Sequence, residues 1–107
     1  MAGRQAYLGE FEQVVLLAVA RLGAEAYGMK LRAEIAARAG RNASIGAVYA
    51  TLDRLVDKGY LRAKDENAAG RARRFFTLTS VGIKALEAAR ELQTRMWAGI
   101  DLRKARR

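Results

Sequence analysis

The stretch Ser44 to Leu61, SIGAVYATLDRLVDKGYL, constrains this chain more than any other. Ile45, Val48, Leu52 and Leu55 recur at three- and four-residue steps, so a helix carrying them presents one stripe that must be buried. Ser44 stands where its hydroxyl can accept from the first free backbone N–H groups, which predicts the helix start. Gly59 stands where the chain must turn to positive φ and leave the helix. Gly46, Ala47, Ala50, Thr51 and Arg54 fall mostly on the opposite side. A solvated helix fills that side with Glu and Lys, but here its first two turns are small and uncharged. Small side chains let a helix backbone come close to the floor of a groove.

The charge balance says what kind of partner to expect. Twenty Lys and Arg against eleven Asp and Glu leave a net +9 on 107 residues, so a polyanion is the natural partner. DNA, RNA and an anionic membrane surface all qualify. No apolar run approaches the roughly 20 residues of a membrane span, and the N-terminal residues lack the basic-then-apolar layout of a signal peptide. The expectation is a cytoplasmic protein with no membrane partner. With no Cys and no His, disulfides, thiolate or imidazole metal sites and nucleophile–His dyads are excluded. The scattered carboxylates form no acid–base pair. We therefore expect no enzyme, no catalytic or metal-binding residue and no cofactor. The chain also lacks Pro, which suits uninterrupted helices. Its length and 51% apolar content support one domain with a modest core, and domains of this size often bury further surface by dimerising.

Taken in order, Met1 to Tyr7 reads as an arm. From Leu8, Phe11, Val14, Val15, Ala18 and Leu22 share a helical face, with Leu17 beside them and Gly23 closing the run. Ala24 to Ala26 link it to a second helix opened by Tyr27 and Gly28. There Leu31, Ile35 and Ala39 face inward, Lys30, Arg32, Glu34 and Arg38 face water, and Gly40 ends the run. Arg41 to Ala43 turn the chain into the Ser44 helix. Helix, short turn and small-faced helix make a helix-turn-helix, in which the first of the pair braces the second against a duplex.

After Gly59 the period becomes alternating, in Tyr60 to Lys64 and Arg73 to Leu78, separated by a polar segment containing Gly70. This predicts a β-hairpin with a long tip. Phe76 and Leu78 should face the core and Arg73, Phe75 and Thr77 the other side. A basic hairpin that follows such a helix is a wing. Thr79 or Ser80 can cap a last helix, where Leu86, Ala89, Leu92 or Gln93, Met96 and Ile100 recur at close to 3.5 residues. That seam has little intrachain surface left to cover and predicts pairing with a second copy. Leu102 to Arg107 reads as a frayed basic tail. The expected fold is mostly α with a small β-hairpin: a winged helix-turn-helix with its N-terminal helix over residues 1–78, continuous with a dimerisation helix and tail over 79–107.

The candidate interface with double-stranded DNA comprises Ser44, Gly46, Ala47, Tyr49, Ala50, Thr51 and Arg54 on the recognition helix, Lys30 on the bracing helix, and Arg71, Arg73 and Arg74 on the wing. A phenol such as Tyr49 beside a groove donates to a phosphate oxygen, and its plainer reading is a half-buried core ring. Arg54 can grip a guanine edge or clamp a phosphate, unless it pairs with Asp53 or Asp57 on its own helix. The wing arginines suit a narrow minor groove, or else simply protect an edge strand by charge. Arg32 and Lys64 are weaker candidates. Trp97, beside Met96, either fills the dimer seam or walls a pocket for a flat apolar ligand between subunits, with Phe11 and Val15 lining the same space.

The order of elements resembles the PadR family of bacterial transcriptional repressors, in its short subgroup with a single C-terminal helix. The resemblance rests on LGEFEQVVLLAVARL from Leu8, YGMKLRAEI from Tyr27, SIGAVYATLDRLVDKGYL from Ser44 and GRARRFFTLTSVGIKAL from Gly70, about four fifths of the chain. Its most specific piece is Gly46, Val48, Tyr49, Leu52, Arg54 and Leu55 followed by Gly59, Tyr60 and Leu61. Ala50 departs from the family pattern, which carries proline there, and implies a straighter helix. The resemblance implies a homodimer on a pseudo-palindromic operator, released by a small aromatic or hydrophobic ligand. The composition by itself equally allows a non-specific architectural protein that binds nucleic acid.

Overall fold

The computed structural model describes residues 7–68 and 70–106. Helix α1 spans Glu10–Leu22 and a 3-10 turn follows at Gly23–Glu25. Helices α2 (Gly28–Ala39) and α3 (Ile45–Asp57) come next, then strands β1 (Leu61–Ala68) and β2 (Arg71–Leu78). Helix α4 (Ser80–Trp97) and a single turn, α5 (Leu102–Ala105), complete the order. The arm expected before the first helix lies, apart from Tyr7, outside the described residues.

Val15, Leu16 and Val19 of α1, Leu31 and Ile35 of α2, and Val48, Leu52 and Leu55 of α3 close one core, which Leu61 and Phe76 of the hairpin cap. Each such side chain stabilises the fold by about 1.5–3 kcal/mol relative to exposure. The stripe on α3 is the one its periodicity predicts. On α1 the buried arc is wider than predicted: Leu16 and Val19 sit at its centre, whereas Phe11, Val14 and Leu22 pack at the rim and Leu17 is exposed. The reason is that α1 touches α2, α3, β2 and α4, so it is covered over more than one stripe. Ala39, expected inward, is exposed, because the last turn of α2 runs past the core before Gly40 leaves it at φ 64°.

The hairpin corrects a second expectation. Leu61 pairs with Leu78 and the antiparallel register continues without a break to Ala68 opposite Arg71, so only Ala69 and Gly70 separate the strands. The connection is tight, with Gly70 at φ 75°. Beyond the core both faces of the ribbon are polar, so the backbone pairing continues where the hydrophobic alternation stops. The hairpin is held to the helices by the Phe76 amide donating to the Ala26 carbonyl at 2.9 Å and by a bridge between Tyr27 and Phe75.

Thr79 caps α4 by accepting from the Gly82 amide at 3.0 Å, and its hydroxyl donates to the Gly59 carbonyl at 2.6 Å. Gly82 lies so close to the Tyr60 carbonyl that a Cβ would overlap it. The first turn of α4 is therefore locked onto the start of the hairpin. From Arg90 to Ile100 every residue is exposed. The radius of gyration, 16.1 Å, exceeds the roughly 13 Å of a compact chain this long, and the projecting α4 accounts for the excess. Ile100 does not continue the seam: the helix ends at Trp97, Ala98 turns away at ψ 127° and Gly99 has φ 78°. The expected frayed tail is instead a helical turn capped by Asp101, which accepts from the Arg103 amide at 3.0 Å; Arg107 lies outside the described residues.

Candidate nucleic-acid interface

The Ser44 hydroxyl accepts from the Ala47 amide at 3.0 Å, so it starts α3 and is occupied in doing so. Gly46, Ala47 and Ala50 are all exposed. A Cβ on Gly46 would meet only the Ser44 hydroxyl, at 4.0 Å, so no internal contact requires glycine there, although glycine costs a helix about 1 kcal/mol relative to alanine. Tyr49 is 38% exposed. The hydroxyl end of its ring lies against Gly28 at the start of α2, where a Cβ would overlap it. Gly28 thus lets α3 and α2 approach through Tyr49, whose phenol tip packs between them while the residue stays partly open to solvent.

Thr51 is a correction. It is only 3% exposed and lies on the side of α3 that faces the core, so its placement on the outer face does not hold. Its hydroxyl accepts from Arg54 Nη2 at 3.2 Å. Arg54 does not pair with the carboxylates of its own helix. Its Nε lies 3.9 Å from Glu12 Oε2, and Lys58 donates to the same oxygen at 2.8 Å. Asp53 and Asp57 are exposed.

Glu12 is the functional-site neighbour that the sequence reading missed. It is buried, its other oxygen accepts from the Gly9 amide at 2.9 Å, and it ties the start of α1 to the end of α3. Burial by itself would raise its pKa. The Lys58 hydrogen bond, the Gly9 amide and the charges of Lys58 and Arg54 outweigh that and hold it below the usual carboxylate value. The signal was present in the spacing, since Glu12, Val15 and Val19 stand at i, i+3 and i+7, which puts a carboxylate on a stripe otherwise apolar.

On α2, Lys30 hydrogen-bonds Glu25, which raises the lysine's pKa, and both side chains stay at the surface. Arg32 donates to the Ala43 carbonyl at 2.9 Å, so it fixes the turn between α2 and α3 and is not a free surface charge. On the wing the three arginines part company. Arg73 stacks 4.3 Å above the Tyr27 ring, which also meets Phe75 edge-on at 5.5 Å. Arg74, one residue on and so on the opposite face, lies 3.5 Å from Asp65. Arg71 is exposed, and Lys64 pairs with Glu66 at 3.3 Å. The cations are divided between the two faces, with Arg71 and Arg73 sharing one.

The residues expected to line an effector pocket are not brought together within the chain. Val15 is sealed in the core, a correction to its role as a wall, and Phe11 packs at the rim with the Arg41 guanidinium 5.7 Å from its centroid. Met96 and Trp97 are 68% and 56% exposed on the projecting part of α4. A groove of about 690 Å³ runs instead between the start of α1 and α4, lined among others by Leu8, Gln13, Tyr60, Ala85, Ala88 and Leu92. Of the seam residues, Leu86 packs partly on the core, Ala89 is half-buried, and Leu92, Gln93 and Met96 are exposed. Among the described residues no cluster could hold a metal ion, and no helix is long and apolar enough to cross a membrane.

The model of the PadR-like family of transcriptional regulators matches residues 16–88. Among solved structures, the chain is similar to a PadR family transcriptional regulator from Eggerthella lenta, with a TM-score of 0.68 and 23% identity over 84% of this chain and 81% of that one. A PadR-like transcriptional regulator from Bacillus cereus gives 0.69 and 20% over 80% and 82%. A winged-helix DNA-binding protein from STIV gives 0.67 and 26% over 90% of this chain and all of that one. No curated protein sequence matches the chain.

Proposed function

The chain belongs to the PadR-like family of transcriptional regulators, which are DNA-binding proteins and not enzymes, and on that premise we propose that it is a repressor acting as a homodimer on a pseudo-palindromic operator. The observation that carries this reading is the open first half of α3, where Gly46, Ala47 and Ala50 face solvent while α2 braces the helix through Tyr49 and Gly28. In it, the N-terminal half of α3 enters the major groove, with the Gly46 backbone and the two alanine methyls against base edges. Tyr49 and Lys30 meet the flanking backbone, Arg54 meets a guanine edge or a phosphate, and Ser44 serves the interface by starting the helix. Arg73, steadied on Tyr27, and the neighbouring Arg71 reach from the side, with Arg74 contributing from the other face of the wing.

Dimerisation runs through the exposed length of α4, whose Leu86, Ala89, Leu92, Gln93 and Met96 are continued by Trp97 rather than by Ile100. Two α3 helices must then stand about one duplex turn apart, roughly 34–36 Å. A flat apolar effector that prefers a different α4 arrangement changes that spacing, and a tenfold loss of affinity needs only about 1.4 kcal/mol of preference. Trp97 fluorescence during titration with planar aromatic compounds reports such a ligand.

The deciding experiment compares binding to a fragment of the chain's own upstream region with binding to scrambled DNA of equal length. A large ratio supports the repressor reading. A ratio near one supports a non-specific architectural protein, which the +9 charge also allows. Asp53 and Asp57, exposed on α3, favour the specific reading, because a surface suited only to phosphates has no use for carboxylates.

A further inference from the structure

Buried carboxylates are uncommon beside a surface that meets DNA, since each subtracts from the attraction to phosphate and must itself be desolvated. Glu12 does both. It is 8% exposed, yet it sits against the two cations of α3, Arg54 and Lys58. Its Oε1 accepts from the Gly9 amide and so serves the start of α1, but that bond does not require the other oxygen to face Arg54 and Lys58.

The geometry gives that oxygen a role. Arg54 has two restraints of different kinds: its Nη2 donates to the buried Thr51 hydroxyl at 3.2 Å, and its Nε is drawn toward the Glu12 carboxylate, 3.9 Å away, by charge alone. Thr51 is rigid because it is in the core. Both restraints act on the inner edge of the guanidinium, while the Nη1 edge has no partner among the described residues and the side chain is 56% exposed. Arginine otherwise loses rotamer freedom when it is immobilised on a ligand. Here that ordering is made in advance, and Lys58 neutralises the carboxylate from its other side at 2.8 Å.

Resting on the reading of α3 as the helix that enters DNA, we infer that Glu12 is a positioning residue for DNA recognition, which with Thr51 orients Arg54 so that its outer N–H edge meets a guanine or a phosphate in a single geometry. Glu12 itself does not touch DNA. Its role is in discrimination: it gives up a unit of general attraction for a fixed arginine.

The test exploits the opposite signs of these two effects. Glu12→Gln keeps the shape and removes the charge, so a merely electrostatic or structural Glu12 predicts unchanged or tighter binding to every DNA. The positioning role predicts at least a fivefold loss on an operator fragment defined by footprinting, with equal or tighter binding to scrambled DNA. In an Arg54→Ala background, Glu12→Gln should have no further effect on operator affinity. Unchanged or tighter operator binding by Glu12→Gln overturns the proposal, and so does an equal loss in the Arg54→Ala background. If Arg54→Ala alone leaves operator affinity intact, the arginine is not at the interface, and the proposal falls while a footprint can still uphold α3 in the groove. Should Glu12→Gln melt below the assay temperature, the double variant Glu12→Met/Lys58→Met removes both partners of the ion pair without changing net charge; a fivefold greater loss on the operator than on scrambled DNA is then expected, and an equal effect on both overturns the proposal.

Discussion

At Glu12, burial opposes ionisation while Lys58, the Gly9 amide and Arg54 favour it, and the net result is a lowered pKa. A carboxylate whose folded pKa lies below its unfolded value near 4.3 contributes stability that is complete above that unfolded value and is lost as pH falls through the folded one. Glu12→Gln should therefore be destabilised at pH 7 by roughly 1–3 kcal/mol, the scale of a hydrogen bond to a charged group. The gap to the parent should close on acidification below about pH 4, as paired thermal melts from pH 7 to pH 3 would reveal. Arg54→Ala is the matching prediction at the interface. Loss of one bidentate base or phosphate contact amounts to about 1–3 kcal/mol, hence roughly a 5- to 150-fold weaker operator complex by fluorescence titration with little change in Tm. The helical period identified Val48, Leu52 and Leu55 as buried, but it misplaced Thr51. A polar residue on the margin of an apolar stripe goes inward or outward according to what packs there, and α3 is packed by both α1 and α2.

Among the elements, α3 is located by its neighbours more than by its own sequence. Tyr49 can lie against α2 only because Gly28 has no Cβ. Gly28→Ala should push the ring, and with it the first half of α3, off the bracing helix. Overpacking of this kind costs about 1–3 kcal/mol, so a lowered Tm together with weaker operator binding is expected, and an unchanged Tm would mean that the ring swings away freely. The wing depends likewise on Tyr27, whose ring meets Phe75 and supports Arg73. Nothing in the spacing of these three residues indicates that they meet, since the bridge between Tyr27 and Phe75 joins segments 48 positions apart (75 − 27). The tight hairpin was hidden for a different reason. Past Ala63 its strands pair Asp65 with Arg74 and Glu66 with Arg73, and without an apolar face the pairing leaves no hydrophobic signature.

For the whole molecule, the longest dimension is 59 Å and the outer half of α4 projects, with Leu92, Met96 and Trp97 all exposed on it. Exposed apolar residues in a row mark an interaction surface. Met96→Glu should halve the mass seen by sedimentation while leaving the core unaffected, because no described core residue touches that end of the helix. Operator binding should fall with it, since two half-sites no longer act together. The +9 charge sets a further expectation. A dimer that makes about 6–10 phosphate contacts loses roughly 10³–10⁵ in affinity between 50 and 200 mM salt, and a titration series that stays flat over that range would refute phosphate contact.

Much was settled by local rules acting on sequence alone. Helix starts at Ser44 and Thr79, helix ends at Gly40 and near Gly59, the buried stripe of α3 and the inward Phe76 of β2 follow from caps, φ preferences and periodicity, all of which act within a few residues. Absence of Cys and His removed whole classes of chemistry by inspection. Contacts between distant segments were decided by the tertiary structure: Glu12 beneath Arg54 and Lys58, Thr51 turned inward, Arg73 laid on Tyr27, Val15 sealed away from any ligand. These depend on how helices and hairpin pack in three dimensions, and no rule of period or spacing carries information about which side of a stripe another element will cover.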